Sequence, residues 1–371
     1  MNQIRIVKKE DKEQLKELWK NSFQDSKQFV DWYFENRFIP SYSVCMEKDG
    51  EIISAIHSSP VHVILRGKLF PSTIVAGCAT KKGYEKKGYM KQLFSYFMNY
   101  MREIEIVLAP HTPARLETFF NIGHYPVADA GFFDCEKVTQ YNQTLVESNK
   151  IVEIKNNELL DNLLLCYQKT AFSYSGMISR SLADFHLKAS DYRADGGKCI
   201  AHIIDEKIKG YCFYFDTPEF VHMEEFITEN EQEEILFIEY GKKLAFGKKL
   251  HIKLPYNTKF SNNLKIEPHS VMGLINAQKL LSILGNHLPY TIEITDAIVN
   301  KNQGIYDMQG NKTNKSPQIK IESGRFLQWI SGYASLKELA QKEQAILLDE
   351  QAAYELDKLF PKVPCRIIDE Y

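Results

Sequence analysis

Residues 77–98, GCATKKGYEKKGYMKQLFSYFM, hold the densest group of chemically useful residues in the chain. A β-branched run ends at Thr80, a polar loop fills residues 81–89, and an apolar repeat at helical spacing starts near Gly88. The first turn of a helix has backbone N–H groups without partners and the positive end of the dipole. Such a junction holds an anion, typically phosphate. Gly88 carries no side chain to keep a ligand off the backbone. Lys81, Lys82, Lys86 and Lys87 against Glu85 make the loop cationic. Two familiar phosphate motifs fail. Gly83-x4-Gly88 starts like a Walker A loop, but Tyr89 and Met90 stand where Lys and Ser/Thr are needed. No GxGxxG occurs, and the strands ahead of the loop read as hairpins rather than a βαβ unit. Nucleoside triphosphates and dinucleotides are therefore disfavoured, while a solvated surface loop stays open as the alternative.

Other reactive residue types form no constellation. His57 and His111 have no carboxylate or cysteine at ligand spacing, so no metal is expected. Ser58 and Ser59 lie on no G-x-S-x-G elbow. The 7 cysteines are scattered, never CxxC, and read as reduced thiols of a cytoplasmic protein. With 46 basic and 48 acidic residues the net charge is −2, which argues against a nucleic-acid partner. No apolar run reaches the roughly 18 residues of a membrane helix, and MNQIRIVKKEDKEQ has no leader pattern. A chain of 371 residues, 44% hydrophobic, is globular with two or three domains.

The elements that must position the loop follow from periodicity. Asp11 and Gln14 predict a capping box ahead of a helix bearing Leu15, Leu18, Trp19 and Phe23. Short strands at 52–56, 61–65 and 74–76 are set off by Asp49-Gly50 and Arg66-Gly67 turns. After the loop, a helix over 88–101 presents Met90, Leu93, Phe94, Phe97, Met98 and Met101 as a core stripe. A buried strand is predicted at 104–108, a short helix near 114–121, strands around 131–138 and a linker over 139–150. A second α/β segment runs over 151–280, with strands KGYCFYF and FVHMEEFI and a helix over 233–246. The third segment starts near Leu281. It has strands within 290–299, helices at 324–331 and 335–341, and a tail, FPKVPCRIIDEY.

This order, together with Gly77-Cys78-Ala79-Thr80 and then Glu85-Lys86-Lys87-Gly88-Tyr89-Met90, resembles the GNAT N-acetyltransferase superfamily. Glu85 stands in place of the usual Arg or Gln, and Met90 in place of Gly or Ala. The resemblance implies that amides of residues 85–90 grip the pyrophosphate of acetyl-CoA, and that Cys78, Ala79 and Thr80 line its pantetheine arm. ETFFNIGHYPV resembles the family's Tyr-x-x-x-Gly-Phe/Tyr segment. As a whole the chain is similar to the enhanced intracellular survival (Eis) acetyltransferases. That likeness implies a mixed α+β fold of tandem GNAT-like domains, residues 1–140 and 141–280, then a sterol-carrier-protein-like domain at 281–371 whose tail reaches the active site.

The same resemblance implies the roles. In Eis enzymes a Tyr protonates the departing thiolate, the terminal carboxylate of the chain is the base, and the assembly is a hexamer. Gly123-His124-Tyr125-Pro126 covers their Gly-Tyr-x-Pro, with His124 at the place of the acid and Tyr125 next to it; the last residue is Tyr371. A looser likeness marks Phe23, Asp25 and Trp32, with Phe34 and Glu35 nearby, as walls for the amine; aromatic faces and an acid suit a cation. The implied function is acetyl transfer from acetyl-CoA to a primary amine by direct attack, in a cytoplasmic homo-oligomer with no metal, membrane or nucleic-acid partner. A non-catalytic acyl-CoA-binding sensor is the alternative. A lipid carrier and an aminoacyl-tRNA-dependent transferase have less support, since the sequence shows no long apolar lining and no basic groove.

Overall fold

The computed structural model describes residues 2–155, 157, 159–258 and 264–370. They form two compact units. One comprises residues 2–128, Tyr174–Ile178 and 269–370; the other comprises residues 129–173 and 179–268. The chain opens with β1 (Asn2–Ile6), α1 (Lys12–Ser22), α2 (Lys27–Asn36), β2 (Val44–Lys48), β3 (Glu51–Leu65), β4 (Lys68–Thr80), α3 (Tyr89–Glu103) and β5 (Leu108–His111). The middle holds β6 (Tyr125–Cys135), α4 (Gln143–Glu147), β7 (Ile151–Glu153), α5 (Leu160–Ala171), β8 (Ile178–Ser179), α6 (Leu182–Ala194), β9 (Lys198–Ile204), β10 (Lys207–Asp216), β11 (Phe220–Thr228), α7 (Glu231–Leu244) and β12 (Lys249–Pro255). It ends with β13 (Lys265–Leu274), α8 (Ala277–Leu284), β14 (Thr291–Thr295), β15 (Gly304–Asp307), β16 (Ile319–Glu322), α9 (Ser323–Ser331), α10 (Leu336–Gln341), β17 (Ala345–Leu347) and α11 (Glu350–Leu359).

In the first unit β1, β2, β3 and β4 pair antiparallel in turn. Side chains on a strand alternate between faces, and that period decides where the helices pack. Val44, Met46, Ile53 and Ile56 meet Leu93, Phe94, Phe97 and Met101 of α3. Cys45, Ile52, Ala55 and Ala76 instead meet Leu15, Leu18 and Trp19 of α1 and Tyr33 and Phe34 of α2. The sheet thus carries α3 on one face and α1 and α2 on the other. The far end of the β3–β4 hairpin enters a different core. Val63, Leu65 and Phe70 pack with Ile292, Ile321, Phe326, Trp329 and Leu356 of the C-terminal elements. At the hairpin tip, Arg66 Nε donates to the carbonyl of Ile330 at 2.6 Å, and Lys68 Nζ to those of Ile283 and Leu284 at 2.8 Å. These cations satisfy carbonyls at the C-terminal ends of α9 and α8, where the dipoles favour positive charge.

In the second unit β6, β12, β11, β10, β9 and β7 lie side by side. β11 and β12 are parallel and joined through α7, repeating the β4–α3–β5 order of the first unit. The fold is therefore mixed α+β, as the resemblance implied, and the second unit repeats the strand–helix–strand order of the first.

Several local expectations change. Asp11 does not cap α1 with its side chain. It accepts from Arg5 at 2.6 and 2.9 Å and from the Lys8 amide at 2.7 Å, and the guanidinium holds its carboxyl below the usual range. Gln14 Oε1 accepts from the Ile52 amide instead. The strands predicted at 52–56 and 61–65 are one strand, β3, because Pro60 needs no donor where it faces Thr73. The strand expected at 104–108 starts only at Leu108, and the linker contains α4, capped by Asn142. Gly77 creates a bulge against β3, with φ +28. A Cβ there would lie 2.2 Å from the Trp19 ring. We expect Gly77→Ala to destabilise the protein by about 2 kcal/mol or more, through overpacking and backbone strain. Urea unfolding measures it; an unchanged midpoint would show that the bulge accommodates a side chain.

Candidate active site

β4 and β5 are parallel neighbours that touch at one register position, Ser72 opposite Leu108. Beyond it β4 runs on to Thr80 along β3 while β5 ends at His111, so the two strands part. In the second unit β11 and β12 stay paired from Phe220–Lys249 to Met223–Ile252. The helices that follow differ in the same sense. α3 starts at Gly88, a left-handed N-cap (φ 77, ψ 9) with no side-chain hydrogen bond and no acidic residue in the first turn. α7 starts at Asn230, whose side chain accepts from the Glu233 amide, and its first turn carries Glu231, Glu233 and Glu234. The head of α3 has no side-chain cap, whereas at the head of α7 Asn230 takes the Glu233 amide and three carboxylates stand in the first turn.

The loop ahead of α3 is shaped by its own contacts. Lys81 donates through its amide to Ile53, and the Tyr84 amide to Lys81, both within 2.9 Å. Glu85 does not point along α3: its carboxylate accepts from the Gly83 amide at 2.7 Å, and hydrogen bonds to backbone amides keep its pKa below the usual value. Lys87 Nζ donates to the Gly83 carbonyl at 2.9 Å and lies over the Tyr84 ring, which Lys48 also faces. Lys86 is left-handed (φ 61), and a Cβ at Gly83 or Gly88 would meet nothing within 4 Å. Tyr89 and Met90 lean on the α3 core. Ser54 Oγ donates to the Ala79 carbonyl and hydrogen-bonds Thr80 Oγ1. Burial pushes the Cys78 thiol up to about 12, which favours the protonated form at neutral pH.

His124 and Tyr125 follow Gly123, the left-handed end of a short 3-10 turn over Leu116–Ile122. The structure separates them. His124 is 1% exposed and lies among Phe94, Phe119 and His111, with its Nδ1 2.9 Å from His111 Nε2. Its Nε2 has no protein partner and sits against Gly273, where a Cβ would be 2.1 Å away. Burial lowers the pKa of His124 to about 3 and that of His111 well below the ordinary value, so both are neutral. The Tyr125 hydroxyl instead donates to Glu322 at 2.9 Å, with the Arg325 guanidinium 3.5 Å from its ring centre. Burial, then the Glu322 carboxylate, raises its pKa. Gly324 backs directly onto the Gly123 carbonyl, and Gln328 donates to the Pro126 carbonyl at 2.6 Å. The turn carrying both residues is thus gripped by the start of α9. Neither His111 nor Glu322 was singled out for a role from the sequence; no short spacing links them to 124–125.

Of the expected amine walls, Phe23 packs 5.0 Å from Trp19, and exposed Asp25 accepts from Trp19 Nε1 at 2.7 Å. Trp32 stacks on Phe29, and Arg37 covers its ring at 5.8 Å. Phe34 is in the core and Glu35 pairs with Lys12. A cleft of about 560 Å³ adjoins the loop, between Glu13, Glu17 and Asn21 of α1 and Glu51, Lys81 and Lys82. Its lining does not include Phe23, Asp25 or Trp32. Tyr371 lies outside the described residues, but residues 366–369 before it are buried rather than frayed. Thr112, next after β5, donates to the Asp369 carbonyl at 3.5 Å. Among the described residues no group of three His, Cys, Asp or Glu side chains is placed to hold a metal, and no helix is long and apolar enough to cross a membrane.

Comparison with known proteins agrees with this geometry. Residues 3–125 match the acetyltransferase (GNAT) domain family and residues 279–365 the sterol carrier protein domain family. No curated protein matches the sequence. Solved structures match over 100% of both chains. They include a probable N-acyltransferase of unknown function from Enterococcus faecalis (TM-score 0.82, 16% identity) and a GCN5-related N-acetyltransferase from Anabaena variabilis (0.80, 14%). Eis1 from Mycobacterium abscessus is another (0.76, 12%). At these identities the likeness establishes the fold.

The buried histidines carry a pH signature. His57, His111 and His124 have folded pKa values depressed from 6.5, His57 and His124 to about 3. A depressed folded value means that unfolding takes up protons. The stability is fully present above about 6.5 and is lost as pH falls toward 3, by about 1.4 kcal/mol per histidine per pH unit. Denaturant midpoints from pH 8 to pH 5 should fall below pH 6.5, and less steeply in His57→Phe. A slope identical in the variant would contradict a neutral, buried His57.

Proposed function

We propose that this chain, whose N-terminal domain belongs to the GNAT acetyltransferases, moves an acetyl group from acetyl-CoA to a primary amine by direct attack. The observation that carries this reading is the parting of β4 from β5 beside the uncapped start of α3. The coenzyme supplies an acetyl thioester activated toward an amine. Amides of residues 85–90 hold its pyrophosphate, with Lys86 and Lys87 adding charge; Lys87 and Lys48 frame Tyr84 at the loop's flank. The free edge of Cys78, Ala79 and Thr80 aligns the pantetheine arm, and its amides polarise the thioester carbonyl.

With Cys78 protonated, no acyl-enzyme is needed, and the amine attacks in a ternary complex. In this reading His124 assists thiolate departure by a hydrogen bond from its neutral Nε2–H, and the proton shed by the attacking nitrogen ends on the sulfur. When His111 Nε2–H donates to His124 Nδ1, the N–H of His124 is on Nε2, the one ring atom of the pair that is buried without a partner. Tyr125 is the weaker choice because its proton is already engaged by Glu322. In the same reading the carboxylate of Tyr371 takes the amine's proton; the burial of residues 366–369, with Asp369 held by Thr112 after β5, supports this role. Phe23, Asp25 and Trp32 remain the proposed amine walls. A cytoplasmic hexamer is part of the same reading.

The burial of His124 and the engaged Tyr125 hydroxyl favour one rival, a sensor that binds acyl-CoA without turnover. Thiol release from acetyl-CoA with a panel of amines separates the two. We expect release with at least one primary amine, a fall of roughly a hundredfold in kcat for His124→Ala in line with loss of a general acid, and near-normal turnover for Tyr125→Phe. Coenzyme binding with no release for any amine would favour the sensor; equal rates in both variants would remove the acid assignment.

A further inference from the structure

Two ammonium groups at the flank of the loop share one aromatic ring. Lys48, the last residue of β2, and Lys87, which directly precedes Gly88, lie 5.3 and 5.1 Å from the centre of the Tyr84 ring. Like charges this close repel, and the electron-rich face of the ring offsets only part of that repulsion. Among the described residues neither lysine pairs with a carboxylate. Lys81, by contrast, pairs with Glu51. Glu47, beside Lys48, is held by Arg5, and Glu85 turns its carboxylate to the Gly83 amide. The lysines whose charge Glu85 feels are Lys82 and Lys86.

The backbone sets all three side chains. Lys48 is in register with Asn2 of β1 on one side and Glu51 of β3 on the other. The Tyr84 amide donates to the Lys81 carbonyl at 2.9 Å, and the ring rests on the α3 core with Tyr89 and Met90. Lys87 Nζ donates to the Gly83 carbonyl at 2.9 Å, which draws it back over Tyr84. The cluster therefore stands between the end of β2 and the head of α3, and the space over Gly83 and Gly88 is open.

We propose that Lys48 and Lys87, carried on Tyr84, form the subsite for the 3′-phosphate of coenzyme A. This rests on the reading in which the head of α3 holds the diphosphate. One ribose away from that diphosphate, coenzyme A bears a phosphomonoester of nearly two negative charges. A dianion set between two ammoniums removes their repulsion, and each lysine brings three donors that need no fixed orientation. The ring is covered by the cations, so Tyr84 serves as their platform and not as a stacking surface for the base. A single exposed ion pair is worth little. Here one dianion meets two cations without a competing carboxylate, so the effect falls on affinity and only for ligands that carry this phosphate.

Titration calorimetry of the full chain with coenzyme A and with 3′-dephospho-coenzyme A tests this without any turnover. The unaltered protein should bind coenzyme A about tenfold more tightly than the dephospho form. Lys48→Ala should cut that ratio to about threefold by weakening coenzyme A alone, and Lys48→Arg should keep it. Lys87 also stands beside the diphosphate, so Lys87→Ala should weaken both ligands, coenzyme A the more. The double alanine variant should bind the two ligands alike. Equal affinities in the unaltered protein would overturn the subsite and leave the diphosphate reading standing. A Lys48→Ala variant that weakens both ligands by the same factor would do the same. Binding of neither ligand to the unaltered protein would remove the coenzyme reading and the subsite with it.

Discussion

The structure depends on one constraint: β4 and β5 must part, and the helix between them must begin without a cap of its own. Parallel strands in a sheet normally stay paired, and a helix start normally finds a Ser, Thr, Asp or Asn. The second half of the chain obeys both rules with β11, β12 and Asn230. The first half breaks both at the same place, leaving a strand edge and a turn of amides facing a cationic loop. Two copies of one element order thus differ where an anionic, thioester-bearing coenzyme would lie. Gly77 and Gly88 make the departure sterically possible, the first by yielding to Trp19 and the second by adopting a left-handed cap.

The sterol-carrier-like part contributes to the same place by packing. Its core is continuous with the tip of the β3–β4 hairpin, and the start of α9 grips the Gly123 turn from beneath. Glu322 and Arg325 hold Tyr125, which leaves His124 to point into the α3 core beside His111. Burying two neutral imidazoles is tolerable because an uncharged ring loses far less solvation than an imidazolium. The cost is confined to His124 Nε2, an unpartnered atom that gives the pair its chemical interest.

What the sequence reveals is what local pattern encodes. The strand, loop and helix around Gly88 could be read residue by residue, since the β-branched run, the glycines and the 3.6-residue stripe all act within a few positions. The GNAT likeness and the sterol-carrier tail were legible for the same reason. Pairings across distance were not. Asp11 looked like a helix cap, yet Arg5 on the neighbouring strand offers a stronger charge-assisted partner. His111 and His124 are separated by 13 residues with no periodic link, and Tyr125 and Glu322 by 197. Continuity of β3 through Pro60 was hidden because proline usually ends a strand, and only the register with β4 shows its N atom in a position that needs no donor.

The most direct measurement is hydrogen–deuterium exchange across residues 81–95, with and without acetyl-CoA. If the open amides at the head of α3 accept the coenzyme's diphosphate, exchange at residues 85–90 should slow on binding while the head of α7, residues 230–234, is unaffected. Coenzyme binding that leaves residues 85–90 exchanging at their free rate would contradict the account.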